Sequence, residues 1–200
     1  MAGSTFDSRL ARACIAPLAQ TRVHPNHLTA LSLAIGLLGA ASYAGGSRWA
    51  MALGASLYML SMFADHMDGE LARLSGKTSE FGHKFDRASD LIVKSMVFTA
   101  MGVGVARMTG ETLPILQGIA SGAAFVSIFV LHDRISRVTG AGVPDQPAAG
   151  GFEIEDILYL IGPVTWLGFL PAFLAAASVG APLYAAFVFR KLRRAIPFRD

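Results

Sequence analysis

Apolar segments long enough to cross a bilayer recur along the whole chain, and the breaks between them are short or charged. The first covers about 28–44 and the second 49–64. A polar stretch over 65–84 precedes a third that ends near 105. The fourth covers 113–131 and leads into a loop of Gly, Pro and charge over 132–151. From Ile154 the chain is almost uncharged until Arg190, which is too long for one helix. Pro163, Gly168 and Pro171 divide it into a fifth span to about 167 and a sixth over 170–189. In hydrocarbon every backbone polar group needs a partner within the chain, and helices supply one without an open edge. The expected fold is all-α: a single polytopic membrane domain over 1–200 with six transmembrane helices.

Composition supports this reading. Of the 200 residues 53% are hydrophobic and only 16% charged, against about 25% charged in soluble domains. So few charges cannot coat a soluble globule, which excludes disorder and most soluble enzymes. One cysteine, Cys14, excludes a disulfide framework and a cysteine metal site; it is expected to pack as a small apolar residue. The net charge of +3 fits anionic lipid headgroups and topology signals better than nucleic acid, because no aromatic-basic patch lies on a polar surface.

With six spans, fourteen basic residues, from Arg9 to Arg199, lie on the side of the N-terminus, against Arg48 and Arg107 opposite. That bias places both termini in the cytoplasm, in a bacterial inner membrane. Residues 1–21 lack the basic region, apolar run and cleavage site of a signal peptide. Over 6–20, Phe6, Leu10, Ala13 and Pro17 share one side, with Arg9 and Arg12 elsewhere, as in an interfacial helix.

The chemistry concentrates between the second and third spans. Asp65 and Asp68 are three apart; Asp86 and Asp90 are four apart. On helices each pair shares a face, and a short connection makes the two helices antiparallel neighbours. Four carboxylates then converge at the membrane boundary, where burying charge is costly unless a cation neutralises it. All-oxygen donors suit Mg²⁺ or Mn²⁺, and two such ions can clamp a phosphate. Gly69 and Gly82 leave room for a diphosphate near the backbone. A solvated acidic loop is the plainer reading, but it does not explain helical spacing with Gly and Arg interleaved.

The pattern Asp65-x2-Asp68-Gly69-x2-Ala72-Arg73-x8-Gly82-x3-Asp86-x3-Asp90 resembles the signature of the CDP-alcohol phosphotransferase family at every fixed position. Pro25, Asn26 and Thr29 resemble a weaker family feature. The resemblance is detailed over about 22–100 and architectural beyond. It implies transfer of a phosphatidyl or other phospho-alcohol group from a CDP-alcohol such as CDP-diacylglycerol to an acceptor hydroxyl, with CMP leaving, in phospholipid synthesis. Asp65, Asp68, Asp86 and Asp90 are then the metal ligands, with Asp90 also the general base. Gly69, Ala72, Arg73 and Gly82 shape the CDP pocket, with Asp65, Asp68, Asn26, Thr29, Thr78 and Ser79 contributing.

Other residues carry open alternatives. Lys94, four after Asp90, either pairs with it, reaches an acceptor phosphate, or snorkels to the surface. Arg134 and Arg137 bind an anionic acceptor or act as positive-inside anchors. Glu153, Glu155 and Asp156 complement a helix N-terminus or meet an amine on the acceptor. Gly36 with Ala40 and Gly102 with Ala106 read as helix-packing surfaces, and Gly118 with Gly122 as a homodimer contact. His66 and His83 lie close enough to support the site. Two rivals remain: an Asp-rich, Mg²⁺-dependent membrane prenyltransferase, and a divalent-cation transporter. The first carries two separated Asp-rich motifs on a longer bundle; the second places its acids near mid-membrane.

Overall fold

The computed structural model describes residues 6–139 and 158–195, with side chains described over 11–135 and 158–193. Among the described residues seven α-helices follow one another: α1 (Phe6–Ile15), α2 (Pro25–Ala44), α3 (Arg48–Ser75), α4 (Glu80–Thr109), α5 (Leu113–Thr139), α6 (Ile161–Trp166) and α7 (Leu170–Ala195). No strand occurs among the described residues.

Local chemistry sets the boundaries. His24 caps α2 through a hydrogen bond from the Asn26 N–H, and Pro25 occupies the first turn. Ser47 accepts from the Ala50 N–H at the start of α3, and Ser79 accepts from the Gly82 N–H at the start of α4. Gly76 (φ 66°) and Gly110 (φ 78°) end α3 and α4 in the left-handed region, where a Cβ would be strained.

Among the described residues, four helical segments are long and apolar enough to cross a membrane: Pro25–Ala44, Glu80–Thr109, Leu113–Ile135 and Leu170–Arg193. This is fewer than the six expected. α3 has 28 residues, about 42 Å at 1.5 Å per residue, but its second half carries Asp65 to Arg73 and lowers its hydropathy. The expected fifth span lies partly outside the described residues, and its described part ends in the six-residue α6. Pro163 lies in its first turn, and Gly168 (φ 82°) follows its end before α7 begins.

α2 packs against α3 and α4, α5 against α4 and α7, and α6 against α3. The core holds Tyr43, Tyr58, Val97, Phe98 and Met101, all fully buried, with Phe98 stacked on Phe125 at 4.7 Å between centroids. Small residues permit close approach. A Cβ on Gly102 would fall 2.4 Å from the Pro114 carbonyl oxygen, and one on Gly118 would fall 2.4 Å from that of Phe98. A Cβ on Gly122 would meet the Ser95 carbonyl oxygen at 3.0 Å. Gly118 and Gly122 therefore face α4 of the same chain, not a second copy as the spacing suggested. The pattern is the same in both cases, because helix pairs within and between chains need the same small residues.

α1 shows its protein-facing side over residues 11–15. Ala11 and Ile15 are the buried positions, whereas Ala13 and Pro17 are exposed. Cys14 is exposed rather than packed. α1 lies against α3, so its inward face follows that contact.

Candidate active site

The second half of α3 and the first half of α4 carry the acidic motif, and α2 closes it from the side. Asp65, Asp68 and Asp86 bring one carboxylate oxygen each to within 4.8 Å of one another. Two come from one helix and the third from its neighbour, so the trio depends on how α3 and α4 are held.

Asp68 is the most enclosed, at 5% exposure. The Thr29 hydroxyl on α2 donates to its Oδ2 at 2.6 Å. Asp68 lies past the apolar half of α3. There burial raises its carboxyl to about 7, with the Thr29 hydroxyl acting the other way and Asp86 adding to the rise. Three oxygens this close repel when ionised, and hard oxygen donors of this kind match Mg²⁺ or Mn²⁺. The donor set fits such an ion.

Asp90 stands outside that trio. Its Oδ2 accepts from Lys94 Nζ at 2.8 Å, which selects the pairing among the readings open for Lys94. Asp65 and Asp90 share a small polar cavity of about 20 Å³ with His66, Ser61, Ser89 and Lys94. His66 Nδ1 lies 2.9 Å from the Met62 carbonyl oxygen.

On the other side of the carboxylates a cavity of about 390 Å³ is walled by Asp68 and Asp86. Asn26, Thr29, Gly69, Ala72 and Arg73 line it, as do Thr78, Ser79 and Gly82. The structure thus gathers the residues expected around a CDP group into one wall, except Asp65, which lines the small cavity instead. Arg73 is bound by Glu70 at 2.6 Å but is largely exposed, so its guanidinium edges the cavity. A Cβ on Gly69 would meet nothing closer than Arg73 Nη2 at 3.6 Å; one on Gly82 would fall 2.9 Å from Asn26 Oδ1. A Cβ at Gly82 would press on the ends of two side chains, whereas one at Gly69 has room on the cavity side.

Several expected residues are not drawn in. Arg134 is exposed at the far end of α5 and lines none of these cavities among the described residues. The Arg137 side chain and Glu153, Glu155 and Asp156 lie outside the described residues. Conversely, Lys77 was read only as a topology charge. It lines the 390 Å³ cavity and donates to the Thr21 and Val23 carbonyl oxygens at 2.7 and 3.1 Å, tying the α3–α4 turn to the entry of α2. Local pattern carries no signal for a contact across more than fifty residues. Arg87 pairs with Asp133 on α5 and lies 4.9 Å from the Phe129 ring centroid.

The family model for CDP-alcohol phosphatidyltransferase matches residues 22–168. The chain belongs to this family. Among similar proteins, the bifunctional IPC transferase and DIPP synthase of Aquifex aeolicus is 26% identical over 148 residues, covering 74% of this chain and 31% of that one. The protein of the same name from Rubrobacter xylanophilus is 32% identical over 103 residues, covering 50% and 23%. The chain therefore spans about a quarter to a third of the length of these relatives. A crystal structure of Mycobacterium tuberculosis phosphatidylinositol phosphate synthase with CDP-DAG bound superposes with a TM-score of 0.60 at 21% identity, covering 95% of this chain and 91% of that one. Membership places the signature and its 390 Å³ cavity in a fold shared with that synthase.

Proposed function

We propose that this CDP-alcohol phosphatidyltransferase family member moves a phosphatidyl or other phospho-alcohol group from a CDP-alcohol to an acceptor hydroxyl, releasing CMP, in phospholipid synthesis. The observation that carries the reading is the convergence of Asp65, Asp68 and Asp86 within 4.8 Å beside a cavity walled by the rest of the signature. CDP-diacylglycerol is the donor we favour, since the M. tuberculosis synthase of the same fold holds CDP-DAG.

The cytidine diphosphate lies in the cavity between Asn26, Gly69, Arg73 and Gly82, its phosphates toward Asp68 and Asp86. Asp65, Asp68, Asp86 and Asp90 would hold two divalent cations, Mg²⁺ or Mn²⁺, whose charge offsets the repulsion among adjoining carboxylates. When bound, these ions supply Lewis-acid stabilisation of phosphoryl charge. Asp90 accepts the proton of the acceptor hydroxyl as its oxygen bonds to phosphorus, and the bond from phosphorus to CMP breaks with the electron pair leaving on CMP.

The finer architecture belongs to the same proposal. The chain forms one domain with six spans, α3 and the segment ending in α6 adding to the four apolar helices, and α1 lies in the interface. The carboxylates and both termini face the cytoplasm of a bacterial inner membrane, and the protein works as a homodimer. An anionic acceptor meets Arg134 and Arg137; an amine-bearing one meets Glu153, Glu155 and Asp156.

CMP release from CDP-diacylglycerol by the purified protein with Mg²⁺ or Mn²⁺ tests the reading, with Asp90→Asn as control. Turnover in the parent and its loss in the variant support it. Divalent-cation flux into vesicles with no CDP-alcohol turnover would replace it with a transporter.

A further inference from the structure

The end of the bundle remote from the acidic motif holds a further cavity, of about 530 Å³, lined by Arg48, Trp49, Ala52, Thr165 and Trp166. It lies between the start of α3 and the end of α6. Asp65 is about 26 Å further along α3 at 1.5 Å per residue, so the cavity is no part of the site described above. The apolar segment Pro25–Ala44 ends beside it, at Tyr43 and Ala44, which puts the cavity at a membrane boundary.

Most polar groups around it are already engaged. The Trp166 indole N–H donates to the Ala52 carbonyl oxygen at 3.3 Å, fixing that ring against α3. The Thr165 hydroxyl lies 2.9 Å from that of Tyr43. Arg107, the other basic residue at this end, donates to the Ala44 carbonyl oxygen at 2.7 Å and so secures the end of α2. Arg48 has no such task. It is exposed, and no carboxylate pairs with it among the described residues. Trp49 is 86% exposed and Trp166 44%. Aromatic surface of this size is costly to leave in water and is favourable at the headgroup level of a bilayer.

We infer that this cavity holds an anionic phospholipid, its phosphate on the Arg48 guanidinium and its glycerol and first acyl carbons against the Trp49 and Trp166 rings. Charge selects the occupant. The wall carries one cation and no carboxylate, so it attracts a negative headgroup and offers nothing to the ammonium of a zwitterionic one. The planar guanidinium suits a phosphate. The rings select a lipid over a free anion, since inorganic phosphate would cover neither of them.

The sequence contains two tryptophans, and both line this cavity, so the intrinsic emission of the full chain reports this place alone. The chain is reconstituted in dioleoyl-phosphatidylcholine vesicles with a rising fraction of acyl-brominated phosphatidylglycerol or acyl-brominated phosphatidylcholine. Quenching by each series gives their relative affinity. The parent is expected to prefer phosphatidylglycerol about fivefold, the ratio one arginine commands near an anionic headgroup. Arg48→Gln should bring that ratio to about one, and Arg48→Lys should keep most of it. High salt should shrink the preference of the parent. The readout involves no turnover, so it is independent of the reaction proposed above.

Equal quenching by the two lipids in the parent overturns the inference, as does full preference in a folded Arg48→Gln, checked by thermal melting. The salt series needs no variant: a preference that high salt does not move overturns the inference even where Arg48→Gln fails to fold. Relief of phosphatidylglycerol quenching by added inorganic phosphate would overturn a lipid as the occupant.

Discussion

The Thr29 hydroxyl donates to Asp68 Oδ2 at 2.6 Å, joining α2 to the acidic end of α3 across 39 residues of sequence. Both groups are almost fully buried, at 2% and 5% exposure. A buried carboxylate without its donor loses about 1.5–3 kcal/mol of hydrogen bonding to a charged group. Thr29→Val, which keeps the shape and removes the hydroxyl, is expected to weaken Mn²⁺ binding about tenfold, as loss of a metal ligand's supporting partner does. Thr29→Ser keeps it. Mn²⁺ titration of the two variants checks this.

Asp86 and Asp90 share one helix face, and of the two Asp86 belongs to the group of three carboxylates within 4.8 Å. Asp86→Asn removes one of the three converging oxygens and should weaken Mn²⁺ binding about hundredfold. Asp90→Asn should weaken that binding less than Asp86→Asn does while lowering turnover further, since general-base assistance is worth about 10²–10⁴-fold. Equal loss of Mn²⁺ binding in both would contradict this order.

The two glycines of the signature should respond differently to alanine. At Gly69 the nearest atom to a new Cβ is 3.6 Å away, an ordinary contact, so Gly69→Ala keeps its melting temperature and raises the KM for CDP-diacylglycerol. At Gly82 the Cβ meets Asn26 Oδ1 at 2.9 Å and Ser79 Oγ at 3.0 Å. Gly82→Ala therefore disturbs the α4 cap as well, and both stability and KM suffer. Thermal melting beside donor kinetics separates the two effects.

Burial holds the Asp68 carboxyl up to about 7 when only protein groups surround it. Above that pH the group is ionised and available to a cation; below it a proton competes. Mn²⁺ affinity should therefore weaken as pH falls from 8 to 6, by up to about tenfold per proton displaced and per pH unit. Titrations at fixed ionic strength across that range read the slope, and Thr29→Val should move its midpoint upward.

Much of the site was legible because helical spacing fixes which residues share a face. Asp65 with Asp68 and Asp86 with Asp90 needed only that periodicity, and Ser79 and Gly76 mark the turn between their helices. Contacts that depend on a third helix were not legible. Thr29 was expected at the CDP pocket, but its bond to Asp68 joins residues far apart in sequence. Lys77 looked like any cytoplasmic charge, though its ammonium holds the carbonyls before α2. Gly118 and Gly122 have a spacing that serves either a neighbouring helix or a second copy, and only the approach of α4 decides. The break expected near Gly168 in the last apolar run coincides with the start of α7 at Leu170. Apolar length alone did not reveal that the described part before it is a six-residue helix.

The central claim is tested most directly by incubating the purified, reconstituted chain with Mn²⁺, isotopically labelled CDP-diacylglycerol and a panel of acceptor alcohols, and reading the lipid products by mass. The account predicts stoichiometric CMP and a new lipid in which the labelled phosphatidyl group is bonded to one acceptor, formed by the parent and not by Asp90→Asn. Intact CDP-diacylglycerol across the whole panel, in a protein that still binds Mn²⁺, would contradict it.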